Sequence, residues 1–276
     1  MNEAHLGKVV IVTGGTGGLG RAICVRLARD GMRIILGHRS KSAEAEAVID
    51  ECISAGGAAA AVEADVDSND DCMRTAAAAI ERWGAIHGLV NCAGRTKVVA
   101  HHDLDGLSSA DFEAIFRTNL VGAFQMVRAC EPAMRRHGDG VVVNISSLAG
   151  LDGSGSSVAY AASKAALNMM TKSLARALAP AIRINTICPD FMATPWFGNM
   201  LEAEAFARLV EAQAARAPLQ RNGEPDEIAE GVAFFLGIGG RNVTGSVLVS
   251  DAGLHLGANA STGFSGGDAV GGQPTE

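Results

Sequence analysis

Val9-Val10-Ile11-Val12-Thr13-Gly14-Gly15-Thr16-Gly17-Gly18-Leu19-Gly20 decides the fold of this 276-residue chain. The four apolar residues suit a buried strand, and Leu19, Ile23 and Leu27 then recur at helical spacing until Gly31 supplies a stop. The stretch reads as strand, glycine loop, helix. Such a loop lets the backbone approach a pyrophosphate closely, while the helix N-terminus offers free N–H groups and a favourable dipole. Placed between a strand and a helix, the glycines point to a dinucleotide.

Working outward, short apolar runs repeat along the chain. Arg33 to Leu36, Ala59 to Ala64, Ile86 to Val90, Gly140 to Ile145, Ile182 to Ile187 and Ser246 to Val249 predict six further strands, each separated by a helical segment. Seven strands alternating with helices imply an α/β fold: a Rossmann-like, doubly wound parallel sheet with helices on both faces. Without an internal repeat or a composition break, residues 1–257 read as one domain. Ligands of such sheets bind beyond the carboxyl ends of the strands. Thr13, Asp65, Asn91, Ser146-Ser147 and Cys188-Pro189-Asp190 gather there.

Composition narrows the function. The net charge of −7 argues against a nucleic-acid surface, and no apolar run approaches a membrane span. Residues 1–8 lack the regions of a signal peptide, so a cytoplasmic protein is expected. Six cysteines lie scattered with no Cys-x-x-Cys, which favours reduced, mostly buried thiols over disulfides or zinc. The one adjacent histidine pair, His101-His102, reads as a solvated loop rather than a metal site.

Two helical segments carry the chemistry. In Val158 to Leu178, Tyr160, the chain's only tyrosine, stands four places before Lys164, so on a helix the two share a face. A free phenol has a pKa of about 10. A nearby cation stabilises phenolate and is expected to bring that value towards the range useful for general acid/base catalysis. Taken alone, the pair is more often a surface pair on an amphipathic helix. Ser109 to His137 predicts one long helix carrying Phe112, Ile115, Phe116, Leu120, Phe124 and Val127 at helical spacing, with Asn119 in its middle and Pro132 bending or ending it. Asn119 could face water or bond backbone within a site.

Beyond the sixth strand, Phe191 to Phe197 begins an apolar segment running into a helix near Glu202 to Ala215, readable as core or as a substrate lid over about 190–217. From residue 258 the Gly/Ser-rich tail reads as disordered.

Together these residues resemble the short branch of the short-chain dehydrogenase/reductase family over about residues 6 to 256. The resemblance rests on Thr13-Gly14-x-x-x-Gly18-x-Gly20, Asp65-Val66, Asn91-Cys92-Ala93-Gly94, Asn119, Asn144-Ile145-Ser146-Ser147, Tyr160-x-x-x-Lys164, and Pro189 with Thr194. Gly14-x-x-Gly17-x-x-Gly20 also fits a longer epimerase-like branch, but the Asn91 motif, the Ala-Ser-Lys context and the chain length favour the shorter one.

The resemblance implies an oxidoreductase moving a hydride between NAD(P)(H) and a secondary alcohol or ketone. Tyr160 would be the acid/base, Ser147 would polarise the substrate oxygen, Lys164 would hold the nicotinamide ribose, and Asn119 would anchor a water in a proton relay. The family places its serine 13 residues before the tyrosine, which selects Ser147 over Ser146. Asp65 and Val66 would meet the adenine. Asn91, Ala93 and Gly94 would border the cofactor, as would Leu19, Pro189 and Thr194. Arg95, Ser154, Val158, Phe191, Trp196 and Phe197 are expected around the substrate. A homotetramer, or a homodimer, is implied, with the two helical segments at one interface. The alternative is a non-catalytic dinucleotide sensor or scaffold, which would not need Ser147, Tyr160 and Lys164.

Three departures stand out. Cys92 replaces the family's second asparagine, Asp190 stands where glycine usually follows the proline, and Ala252 interrupts the usual Asp-Gly-Gly. The cofactor expectation is NADP(H) over NAD(H). At the end of the second strand, where a carboxylate would bond the ribose hydroxyls and repel a 2′-phosphate, this chain has His38 followed by Arg39 and Ser40. Arg39 can give the phosphate charge-assisted bonds, with Thr16 and Ser40 as hydroxyl donors.

Overall fold

The computed structural model describes residues 5–40, 42–193 and 202–257. Seven parallel strands form one sheet in the order β3-β2-β1-β4-β5-β6-β7. They are β1 (Val9–Thr13), β2 (Arg33–His38), β3 (Ala58–Glu63), β4 (Gly88–Asn91), β5 (Gly140–Ile145), β6 (Ile182–Pro189) and β7 (Val247–Ser250). The strand order reverses between β1 and β4, and the crevice at that point is where such sheets bind ligands. Every strand expected from the sequence is present, with ends shifted by one or two residues.

Because the sheet is covered on both sides, its strands read as continuous apolar runs rather than alternating ones. Within β1 the side chains still divide by pleat. Val10 and Val12 pack with Ile23 and Leu27 of α1 (Gly18–Arg29), Val48 of α2 (Ser42–Ser54), and a C-terminal helix considered below. Val9 and Ile11 face the opposite way, towards Ala76 of α3 (Asn69–Trp83) and Met126 and Cys130 of α5 (Ala123–His137). A one-residue slip of β1 would exchange these faces, so register is fixed by burial as well as by hydrogen bonds.

The segment expected as one helix is three. α4 (Ser109–Phe116) starts with a capping box between Ser108 and Asp111, a six-residue π turn follows at Arg117–Gly122, and α5 continues past Pro132 to His137. Pro132 does not end the helix; the carbonyl it leaves unbonded belongs to exposed Arg128, where water can reach it. The apolar stripe is also divided. Ile115, Asn119, Met126, Val127 and Cys130 are buried, whereas Phe112 and Phe124 are 37% and 41% exposed.

The remaining helices are the single turn α6 (Ala149–Asp152), α7 (Val158–Leu178), α8 (Ala203–Arg216) and α9 (Pro225–Leu236). Ile228, Val232 and Phe235 of α9 complete the core beside α1. α8 has no buried residue. It lies in the segment expected as a lid, rooted by a parallel bridge between Met192 and Gly223. Thr194, Trp196, Phe197 and the tail from residue 258 lie outside the described residues.

Candidate active site

The carboxyl ends of the strands open onto a cavity of about 910 Å³. At one end the walls are backbone. Gly14 has φ +66°, a left-handed conformation that favours glycine, and a Cβ on Gly20 would lie 2.2 Å from the Gly14 carbonyl oxygen. α1 begins at Gly17 with no side-chain cap and no acidic residue in its first turn, so its leading N–H groups remain available to an anion. Thr16, Gly18 and Leu19 line the cavity with Gly14 and Gly20. Thr13 braces the loop from below, its hydroxyl accepting the Cys92 and Ala93 N–H groups at 3.0 Å each. This cradle fits a pyrophosphate.

Beyond β2 and β3 the wall becomes polar. His38 is buried, whereas Arg39 is 66% exposed and meets Asp65 at 3.9 Å. Ser40, Asp65 and Val66 also line the cavity. The Val66 carbonyl accepts from Gln125 Nε2 at 2.8 Å, and a Cβ on Gly122 would come within 2.8 Å of Val66 Cγ2, so the π turn and α5 press against this loop.

Asn91 stands behind the wall rather than on it. Its Nδ2 donates to the Ala123 carbonyl at 3.3 Å and to Asn144 Oδ1 at 2.9 Å; Asn144 in turn donates to Thr171, which bonds Thr186. This buried relay ties β4, β5, β6 and α7 together, and Ala93 and Gly94 carry on to the cavity surface.

At the other end of the crevice Ser147, Tyr160 and Lys164 meet. Ser157 accepts the Tyr160 N–H at the start of α7, so the helix begins two residues before the tyrosine and fixes its direction. The Ser147 and Tyr160 side chains are hydrogen-bonded, and Lys164 Nζ lies 5.7 Å from the Tyr160 ring centroid while donating to the Ile145 carbonyl at 2.9 Å. Burial governs both titrations. It pushes the Tyr160 phenol up to about 12, only partly opposed by the Ser147 bond, and brings the Lys164 ammonium down to about 8. The expected lowering of the Tyr160 pKa is therefore reversed in this structure, because desolvation outweighs any benefit from the neighbouring cation.

Asn119 does not line the cavity; it is buried and fully engaged. Its Oδ1 accepts the Arg95 N–H at 2.7 Å, and its Nδ2 donates to the Arg95 carbonyl and to Ser163 Oγ, both at 2.9 Å. It thus clamps the loop after β4 to α7. Ser163, whose hydroxyl also donates to the Tyr160 carbonyl, had no distinguishing signal beyond its place in the Tyr-Ala-Ala-Ser-Lys stretch.

Of the residues expected around the substrate, Arg95, Ser154 and Phe191 line the cavity with Ser147, while Val158 lies on a separate shallow surface depression. Pro189 lines it too, and its carbonyl accepts the Leu148 N–H at 2.8 Å. Asp190 sits beside it with both carboxylate oxygens buried, and burial pushes its pKa up to about 6, only partly opposed by backbone hydrogen bonds. Leu209, Gln213, Arg216 and Leu254 also reach the cavity. Sequence reasoning missed them, although the 209, 213, 216 spacing marks one helical face. Among the described residues, no group of three His, Cys, Asp or Glu side chains could hold a metal ion.

The family model for short chain dehydrogenase matches residues 8–205. The chain belongs to the short-chain dehydrogenase/reductase family. A protein assigned as ketoacyl reductase 2 of the granaticin polyketide synthase, from Streptomyces violaceoruber, is 35% identical over 92% of this chain and 98% of its own length. The 3-oxoacyl-acyl-carrier-protein reductase FabG of Thermotoga maritima is 32% identical over 91% and 98%. Among solved structures, an actinorhodin polyketide ketoreductase with NADPH aligns with a TM-score of 0.82 at 31% identity, covering 92% of this chain and 99% of that one. An NAD+-bound xylitol dehydrogenase gives 0.78 at 30% identity, covering 89% and 98%. This short-chain dehydrogenase is an NAD(P)-binding oxidoreductase acting on C=O or CH–OH groups.

Proposed function

We propose that the enzyme interconverts a ketone and a secondary alcohol, that NADP(H) is preferred to NAD(H), and that Tyr160 is the acid/base. The observation carrying this reading is that half-buried Ser147 and buried Tyr160 and Lys164 form one corner of the same cavity whose far end is the glycine cradle. When bound, the dinucleotide supplies or accepts the hydride. Negative charge then grows on the substrate oxygen, where the Ser147 hydroxyl and the Tyr160 phenol are already placed as donors. A phenol held up to about 12 stays protonated throughout the neutral range, as the proton donor of a reduction must be. Alcohol oxidation needs the phenolate instead and should accelerate with pH. Lys164 binds the nicotinamide ribose. Asn119 has spent its side chain on Arg95 and Ser163, so its part in a proton relay would run through its backbone carbonyl in the π turn.

The NADP(H) preference rests on the missing carboxylate after β2 and on the exposed Arg39, which would leave Asp65 for the 2′-phosphate. The sensor or scaffold alternative is less favoured, since a binding module gains nothing from a buried phenol hydrogen-bonded to Ser147. A homotetramer is supported by exposed Phe112, Val121 and Phe124 beside Val158 and Met169 on α7; light scattering at micromolar concentration should give four chains, and a monomer would end that part. The same reading makes residues 1–257 one domain with a lid at about 190–217, and puts the enzyme in the cytoplasm, where its free thiols stay reduced.

The test is a panel of ketones and alcohols followed through nicotinamide absorbance, on wild type and Tyr160→Phe. Turnover should vanish almost completely in the variant while NADPH affinity persists. Substantial activity without the phenol would refute the mechanism.

A further inference from the structure

We propose that Arg216 sets the substrate class: the carbonyl compound accepted here carries an anionic group, a carboxylate or a phosphate, that Arg216 engages at the cavity wall. This rests on the ketone/alcohol reading above.

The lid helix α8 presents a graded face. Leu209, Gln213 and Arg216 are spaced four and three apart, so they lie along one side of the helix, and all three line the cavity. From its middle to its C-terminus that face runs apolar, amide, cation. The other arginine of α8 behaves differently. Arg208 does not line the cavity, and its guanidinium lies 3.6 Å from Glu204, one turn back. Arg216 has Ala212 at the equivalent position, and no ion pair reaches it among the described residues. A cation in the last turn suits the helix dipole in any direction. The dipole does not explain why this one is turned to the cavity.

A second cation meets the same space from another wall. Arg95 follows β4, and Asn119 holds its backbone from both sides through the Arg95 N–H and carbonyl. Its backbone is therefore fixed beside the catalytic corner while its guanidinium has no acidic partner among the described residues. Two carboxylates, Asp152 and Asp190, line the cavity as well, and among the described residues neither forms an ion pair with Arg95 or Arg216. Asp152 accepts the Ser154 N–H at 2.9 Å, and the Asp190 oxygens are buried near Gly223, whose added Cβ would lie 2.5 Å from Oδ1. In a chain of net charge −7, two exposed arginines with no ion pair among the described residues line one cavity. A neutral polyol or alicyclic ketone would leave both unused. An anionic one gains charge-assisted hydrogen bonds, which the planar guanidinium can give in pairs.

Two matched pairs of substrates test this on the full chain with NADPH: acetoacetate against ethyl acetoacetate for a carboxylate, and acetoacetyl-coenzyme A against the acetoacetyl N-acetylcysteamine thioester for a phosphate. Wild type should prefer the anionic member of at least one pair. In Arg216→Gln the ratio of the two kcat/KM values should fall about ten- to a hundred-fold, mainly through KM, the loss expected for a hydrogen bond between charged groups. Arg208→Gln should keep the wild-type ratio. The pair that responds identifies the anion. A wild type indifferent to charge, or a preference that survives Arg216→Gln, overturns the proposal. Should none of the four be reduced, the ketone reading still rests on the wider panel above, and the proposal is decided by equilibrium titration. The four compounds are titrated into Tyr160→Phe protein saturated with NADPH, with and without Arg216→Gln. An anionic preference abolished by the second substitution supports the assignment, and equal affinities reject it.

Discussion

The two ends of the cavity are built on opposite principles. At the glycine end the binding groups are backbone N–H donors, the shape comes from missing side chains, and no charge is buried to make it. At the Ser147, Tyr160 and Lys164 end the groups are side chains, and an ammonium is carried inside the protein with, among the described residues, the Ile145 carbonyl as its hydrogen-bond partner. The first end costs little in the empty protein because helix termini have free N–H groups in any case. The second is held at the expense of folding, since burial alone takes the lysine from its ordinary 10.5 to about 8. Recognition of the cofactor's phosphates is thus nearly free, whereas reactivity is carried by a destabilised group.

The contrast can be broken by removing one side chain at a time. Ser147→Ala takes one of two donors from the developing oxyanion and should lower kcat about 10²–10³-fold. Near-wild-type rates would leave Tyr160 as the only group acting on that oxygen. Arg39→Ala, at the glycine end, should cost NADPH about ten- to a hundred-fold relative to NADH in equilibrium titration, with little change in melting temperature, because the side chain is exposed. Equal losses for both cofactors, or a wild-type preference for NADH, would reject the 2′-phosphate assignment.

Lys164→Met should inactivate the enzyme and yet stabilise it. Below about pH 8 the lysine is charged in both folded and unfolded chains, and the folded state bears the whole desolvation penalty. Removing the charge at pH 7 should therefore gain about 1–3 kcal/mol, after allowing for the lost bond to Ile145. As pH rises from about 8 towards 10.5 the folded lysine becomes neutral, so the gain should shrink; thermal melts of both proteins at pH 7 and pH 10 measure this. A variant less stable than wild type at pH 7 would mean the ammonium is better compensated than its surroundings indicate.

The same division explains what the sequence made legible. Glycine spacing after an apolar run is dictated by backbone geometry, so the strand, loop and helix could be derived from local residues. Ser147 and Asn119 needed the family resemblance, because nothing local shows that residues so far apart in the chain converge beside α7. The Tyr160 pKa was misjudged because sequence supplies the neighbouring cation but not the depth of burial. The cavity face of α8 was missed for a related reason: 209, 213 and 216 mix an apolar, an amide and a charged residue, and a search for apolar stripes passes over such a face. Phe112 and Phe124 share one helical spacing with Ile115 and Val127, and a period near 3.6 cannot tell an α turn from a π turn across six residues.

That π turn also makes the site depend on a residue count. Arg117–Gly122 accommodates one residue more than an α-helical path between α4 and α5 would hold, and in doing so sets the phase between them. Deleting one of the six would let the segment close as a regular α-helix with α5 in its present phase, whereas deleting a second would rotate α5 by about 100° relative to α4, turning Met126 and Cys130 away from the sheet or Asn119 away from Arg95. Point substitutions on the exposed side of this rod are cheap by comparison. Along 117–122 the chain has one residue to spare, so in homologous sequences a single gap within these six positions would mark a helix that runs straight through, and a double gap would mark a site assembled differently.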